Sequence, residues 1–179
     1  GKVSESSADL VAQAVGSALY GLQRCSSKSI EVRSLLSSLA EKVDRSNFLM
    51  DTQAVATALY GLQYMKADTT EVRALVDALA TRIESSEKLT LDSRSVGMAL
   101  YGLNSMGSDQ PQVRRLMDVL AKLIERSDVR LTGQIVADSL FGLRSMETDC
   151  PELRSLLAAI AGSIDASKGK LEAVELSNA

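Results

Sequence analysis

The sequence predicts an all-α fold, and within that class an α-solenoid of four helical hairpins of about 40 residues with a truncated fifth. Three observations carry this. The phrase Ala18-Leu19-Tyr20-Gly21-Leu22 returns as Ala58 to Leu62, as Ala99 to Leu103 and, altered, as Ser139-Leu140-Phe141-Gly142-Leu143, at intervals of 40, 41 and 40 residues. Each interval holds two apolar stripes of helical period, and none holds the strict alternation of a half-buried strand. A fixed period of this length marks units that bury their apolar faces against one another.

The units read as 9–48, 49–89, 90–129 and 130–169, after a Ser-rich, flexible lead-in at 1–8. In the second unit Asp51 or Thr52 can accept hydrogen bonds from the free N–H groups of a following helix. Val55, Ala58, Leu59, Leu62 and Met65 then fall on one stripe. Ala56 and Tyr60 lie on an adjacent face, as an inner helix buried on two sides requires. Lys66 to Thr70 break that helix and start an outer one, whose stripe is Val72, Leu75, Val76, Leu79, Ala80 and Ile83. Glu84 to Lys88 lead on to the third unit.

In the third and fourth units Pro111 and Pro151 stand at the first helical position, where the missing N–H would be unpaired anyway, so Gln110 and Cys150 are the expected N-caps. The extra residue of the 41-residue interval belongs between the second outer helix and the third inner helix, where a loop absorbs it at little entropic cost. Residues 170–179 open a fifth unit. Leu171 continues the column Leu10, Met50, Leu91 and Leu131, and Leu176 continues Val15, Val55, Val96 and Val136. Terminal solenoid units need a polar outer face, so the expectation is a fragment of a longer array or a subunit continued by another chain.

Composition narrows the function classes. Lys and Arg number 20 against 23 Asp and Glu, and no unit has the concentrated positive footprint of a nucleic-acid binder. The chain has no His, no metal-type cysteine spacing, no Gly-rich phosphate loop and no paired carboxylates in an apolar setting. It is therefore expected to be no enzyme, with no cofactor, metal or small-molecule substrate. Cys25 shares a column with Met65, Met106 and Met146 and reads as a core residue; with Cys150 it points to an intracellular, reducing compartment. No apolar run approaches a membrane span.

The phrase Gln53-Ala54-Val55-Ala56-Thr57-Ala58-Leu59-Tyr60-Gly61-Leu62 and the terminal Glu175-Leu176-Ser177-Asn178-Ala179 resemble the octotricopeptide-type repeats of organellar RNA-binding proteins and the related repeats of RAP-domain proteins. The likeness covers the inner helices. Where that family usually shows Trp and Ala, this chain has Tyr or Phe and Gly. The resemblance implies a curved helical stack that reads single-stranded RNA through variable inner-helix positions, in an organelle.

Those variable positions form three columns on one side of the inner helices: Gln13, Gln53, Arg94 and Gln134; Ser17, Thr57, Met98 and Asp138; and Arg24, Tyr64, Ser105 and Ser145. They are the candidate binding residues, although a solvated face would tolerate the same variation. Tyr20, Tyr60, Tyr101 and Phe141 are expected to pack the seams between units, with a base-stacking ladder as the other reading. Gly21, Gly61, Gly102 and Gly142 are read as lying inside helices, where each costs about 1 kcal/mol relative to Ala; close helix approach, or backbone bared for a ligand, would repay that. Arg33, Arg73, Arg114 and Arg154 recur in the first turn of each outer helix and suggest either ion pairs, between units with Glu31, Glu71 or Glu152 or within a helix as in Arg73–Asp77 and Arg114–Asp118, or a phosphate-reading ladder.

The leading expectation is a non-catalytic scaffold binding a macromolecular partner, a protein, along the inner-helix face. Single-stranded RNA binding is the alternative, and a structural module of a larger assembly is the third.

Overall fold

The computed structural model describes residues 12–147 and 149–164, and among these all regular structure is helical. Eight helices follow in order: α1 (Ala12–Gly21), α2 (Ile30–Arg45), α3 (Thr52–Tyr60), α4 (Thr70–Ser85), α5 (Ser93–Tyr101), α6 (Pro111–Ser127), α7 (Gly133–Gly142) and α8 (Pro151–Gly162). The expected lead-in at 1–8 and the expected fifth unit at 170–179, with Leu171 and Leu176, lie outside the described residues. A single parallel bridge, Leu131 to Ile164, is the one non-helical pairing described.

Local chemistry sets the helix starts. Asp51 caps α3 by accepting from Ala54 N at 2.7 Å, and Asp92 caps α5 by accepting from Ser95 N at 2.8 Å. Pro111 and Pro151 open α6 and α8, behind Gln110 and Cys150 in extended conformation. The extra residue falls where expected. Ser46 and Met50 are four apart, as are Ser127 and Leu131, whereas Ser86 and Leu91 are five apart. The added length forms a turn closed by Leu89 N donating to Ser86 O at 2.9 Å.

The odd-numbered helices end earlier than their apolar stripes suggest. In α3 the helix stops at Tyr60, and residues 62–65 continue as tightened turns: Leu62 N donates to Leu59 O at 2.9 Å and Met65 N to Leu62 O at 2.8 Å. Winding of about three residues per turn keeps Leu62 and Met65 on the buried face. Gly61 and Gly102 are thus helix caps, while Gly21 and Gly142 are last helical residues, so none pays the cost of a helix interior. α4, in contrast, runs two residues past Ile83 to Ser85.

Packing follows parity. α1 packs on α3, α3 on α5 and α5 on α7, while α2 packs on α4, α4 on α6 and α6 on α8. Val55 and Leu59 of α3 and Leu75 and Leu79 of α4 are fully buried in one core shared by both rows. Each such side chain contributes about 1.5–3 kcal/mol through removal from water.

Arg73 and Arg114 do not form the expected pairs with Asp77 and Asp118, although Arg114 acts on Glu152 of α8 and, after the larger effect of the Cys150 hydrogen bond, helps to lower its pKa. Arg73 Nη1 donates to Ala67 O at 3.0 Å and Arg114 Nη2 reaches Asp109 O at 3.5 Å, so both close the loop before their own helix. Asp77 is taken instead by Arg115 at 2.7 Å, across from α6 to α4, and Asp118 by Lys122 at 2.7 Å. A guanidinium in the first turn is repelled by the helix dipole, and bending back to a carbonyl relieves it.

Candidate functional site

The inner-helix phrase brings one aromatic ring per odd-numbered helix to the same height. Tyr20 and Tyr60 lie 5.9 Å apart by ring centroid, Tyr60 and Tyr101 5.7 Å, and Tyr101 and Phe141 5.4 Å, with interplanar angles of 26°, 24° and 19°. The rings form one offset stack across four helices. Tyr60 and Tyr101 are half-buried within it, and the end rings are more open, Tyr20 at 41% and Phe141 at 45% exposure. The Arg144 guanidinium lies 3.9 Å from the Phe141 centroid, a cation–π contact at one end of the stack.

Glycine makes the spacing possible. A Cβ on Gly61 would fall 2.1 Å from Leu19 O, one on Gly102 2.0 Å from Leu59 O, and one on Gly142 2.0 Å from Leu100 O. Only a hydrogen fits between each odd-numbered helix and the carbonyl of the one before it. Gly21 differs: a Cβ there meets nothing within 4 Å.

Of the three candidate columns, the first two lie within the odd-numbered helices, where positions four apart share a face, whereas Arg24, Tyr64, Ser105 and Ser145 lie beyond the helix ends. Gln13, Gln53, Arg94 and Gln134 are all exposed, and Gln134 Nε2 donates to Asp138 Oδ1 at 3.0 Å. In the second column Ser17 is exposed while Thr57, Met98 and Asp138 are half-buried. Thr57 Oγ1 donates back to Gln53 O at 2.8 Å and lies where a Cβ on Gly16 would meet it at 2.5 Å, so it is occupied with packing against α1.

The third column divides. Arg24 and Tyr64 are open, Tyr64 at 52% exposure. Ser105 Oγ donates to Gln63 O at 2.5 Å and Ser145 Oγ to Asn104 O at 2.8 Å. These two serines tie the turns after α5 and α7 to those after α3 and α5, respectively. The exposed residues open to a partner are thus Gln13, Ser17, Gln53, Arg94, Tyr64 and Arg24, with Met98 half-buried beside them.

Other serines, which sequence reasoning passed over, make the same kind of tie. Ser86 Oγ accepts from Met50 N and Ser127 Oγ from Leu91 N, each at 2.8 Å; Ser27 Oγ accepts from Lys66 N at 3.1 Å and Ser108 Oγ from Glu147 N at 2.8 Å. Their signal was a serine recurring at one or two repeat intervals. Arg82 Nη1 to Ser46 O at 2.6 Å, and Arg126 to Leu89 O and Ser86 O at 3.0 Å each, complete the connections.

Among the described residues no three His, Cys, Asp or Glu side chains converge as metal donors would, and no helix is long and apolar enough to cross a membrane. Cys150 Sγ donates to Glu152 Oε2 at 2.9 Å; burial, and then this neighbour, push its thiol above the ordinary range. The chain matches no family model, no curated protein and no solved structure.

Proposed function

We propose that the chain is an α-solenoid of four helical hairpins acting as a non-catalytic scaffold, and that it binds an extended protein segment along the face of α1, α3, α5 and α7. One observation carries the reading: the aromatic stack runs without a break across all four odd-numbered helices. Ring edges, Tyr64 and Met98 offer apolar contacts for side chains, while Gln13, Gln53 and Arg94 offer hydrogen bonds to a peptide backbone.

Single-stranded RNA is less well served. Base stacking needs a free ring face, and here neighbouring rings occupy one another's faces. The strip also carries both signs of charge, with Arg24 and Arg94 against Asp138, where a phosphate track calls for one.

Selection of a peptide-display library on the folded chain, repeated on a Tyr64→Ser, Arg94→Ser, Met98→Ser variant, tests the reading. Peptides that bind the native chain and lose about tenfold or more on the variant support it. Binding of a degenerate single-stranded RNA pool that weakens steeply with salt, with no peptide dependent on this face, would move the function to RNA.

A further inference from the structure

Charge is nearly absent from the odd-numbered row. α1, α3, α5 and α7 together contain two charged residues, Arg94 in α5 and Asp138 in α7, whereas every even-numbered helix carries both signs. Each stands out in its own column. Arg94 takes the place held by Gln13, Gln53 and Gln134, and Asp138 the place held by Ser17, Thr57 and Met98. Charges that flank the row lie outside its helices: Asp51 and Asp92 are engaged in capping, Arg24 stands in the turn after α1, and Arg144 lies over the Phe141 ring.

The two charges sit on neighbouring helices but do not neutralise each other. α5 packs on α7, yet no ion pair joins Arg94 to Asp138; the ion pairs described lie on α2, α4 and α6. The Arg94 guanidinium is exposed and makes no hydrogen bond among the described residues. Asp138 is half-buried, and its Oδ1 accepts from Gln134 Nε2 at 3.0 Å, one helical turn back, which orients the carboxylate and leaves Oδ2 unbonded. Packed helices lie about 8–10 Å apart, and Asp138 is one turn further along than Gln134, the counterpart of Arg94. The two Cα atoms are therefore roughly 10–12 Å apart.

We infer that Arg94 and Asp138 set the direction of the bound segment, which carries a carboxylate for Arg94 and a cationic side chain for Asp138, two to four residues apart. The inference rests on the reading of the odd-numbered row as a peptide-binding face. Glutamine amides both donate and accept, so Gln13 and Gln53 serve a peptide backbone running either way, and ring edges are equally indifferent to direction. A cation on α5 and an anion on α7 are not. A segment laid the wrong way round brings like charges together, and that juxtaposition is penalised. Arg94 presents a planar fork that fits a carboxylate with two hydrogen bonds. The half-burial of Asp138 lowers the effective dielectric around it and strengthens its attraction for a cation. In an extended segment, side chains two and four residues apart share a face at about 7 and 13 Å, which brackets the separation of the two groups.

Peptides recovered by the native chain from a random display library test this. Those that lose binding on a Tyr64→Ser, Met98→Ser variant should carry Asp or Glu two to four residues from Lys or Arg, always in the same order. Arg94→Gln should weaken a recovered peptide by about two- to fivefold, as loss of an exposed pair does, and should have no effect once the peptide's own carboxylate is replaced by an amide. Arg94→Glu should select Lys or Arg where the native chain selects Asp or Glu. The exchanged chain, Arg94→Asp with Asp138→Arg, should favour peptides of the opposite order. Circular dichroism should show each variant folded; Arg94 is exposed, so its two single variants decide the matter even if the exchanged chain does not fold. Peptides that depend on Tyr64 and Met98 but show no charge order, or that ignore Arg94→Glu, overturn the inference and leave the peptide-binding face standing. If no peptide depends on Tyr64 and Met98, both fall.

Discussion

Gly102 and the carbonyl of Leu59 stand so close that one added carbon would lie 2.0 Å from the oxygen. The obstacle is backbone, held by a hydrogen bond of its own: Leu62 N donates to Leu59 O at 2.9 Å. It cannot move without unwinding the end of α3.

Gly102→Ala should therefore destabilise the chain by about 3 kcal/mol or more, at the upper end of overpacking costs. Gly21→Ala, at the matching position with open space, should be neutral or stabilising by up to about 1 kcal/mol. Urea unfolding followed by circular dichroism checks both, and equal effects would contradict the close-approach account.

Position within the ring stack should set the cost of removing a ring. Tyr60 has a ring on each side and Tyr20 on one, and an aromatic pair adds about 0.5–1.5 kcal/mol beyond area burial. Tyr60→Ala should cost roughly 1 kcal/mol more than Tyr20→Ala, while Tyr60→Phe should be nearly silent. Thermal unfolding of the three variants decides it.

Two polar ties should respond differently to salt. Arg115 bridges α6 to Asp77 and Glu84 of α4 at 2.7 and 3.0 Å, but all three side chains are at least one-third exposed. Arg115→Ala should cost no more than about 1 kcal/mol, shrinking in molar salt. Ser86→Ala strands the buried Met50 N–H and should cost about 1–3 kcal/mol whatever the ionic strength. Denaturation at two salt concentrations separates them.

Cys150 should be slow to alkylate. Burial and the Glu152 carboxylate raise its thiol pKa, so less thiolate is present near neutral pH than in an unperturbed cysteine. Mass spectrometry after iodoacetamide treatment should show Cys150 labelled slowly in the folded chain and readily in urea. Glu152→Gln should speed labelling only a few-fold, because burial remains the larger cause. Labelling at the unfolded rate would contradict this environment.

Helix positions were legible from the sequence because they depend on neighbours a few residues away. Asp51 or Thr52 at one helix start, Pro111 and Pro151 one residue inside two others, and the apolar stripes at helical spacing all act within a turn or two. The loop that absorbs the extra residue near Glu87 was legible for the same reason. The helix ends were not, since Leu62 and Met65 stay buried in either helical or tighter winding and so leave the same pattern.

Of the candidate site, the variable columns could be listed from the sequence, but not the state of each residue. Ser105 and Ser145 looked as open as Tyr64 until their carbonyl partners, Gln63 and Asn104, came into view about 40 residues away. By itself the sequence determined the all-helical class, the starts of the helices opened by Asp51, Pro111 and Pro151, and the recurrence of the aromatic-glycine phrase. Only tertiary structure decided that the aromatics stack ring on ring, and that Gly61, Gly102 and Gly142 are filled by carbonyls while Gly21 is not. Periodicity records which residue types recur, whereas close approach and exposure depend on what stands opposite.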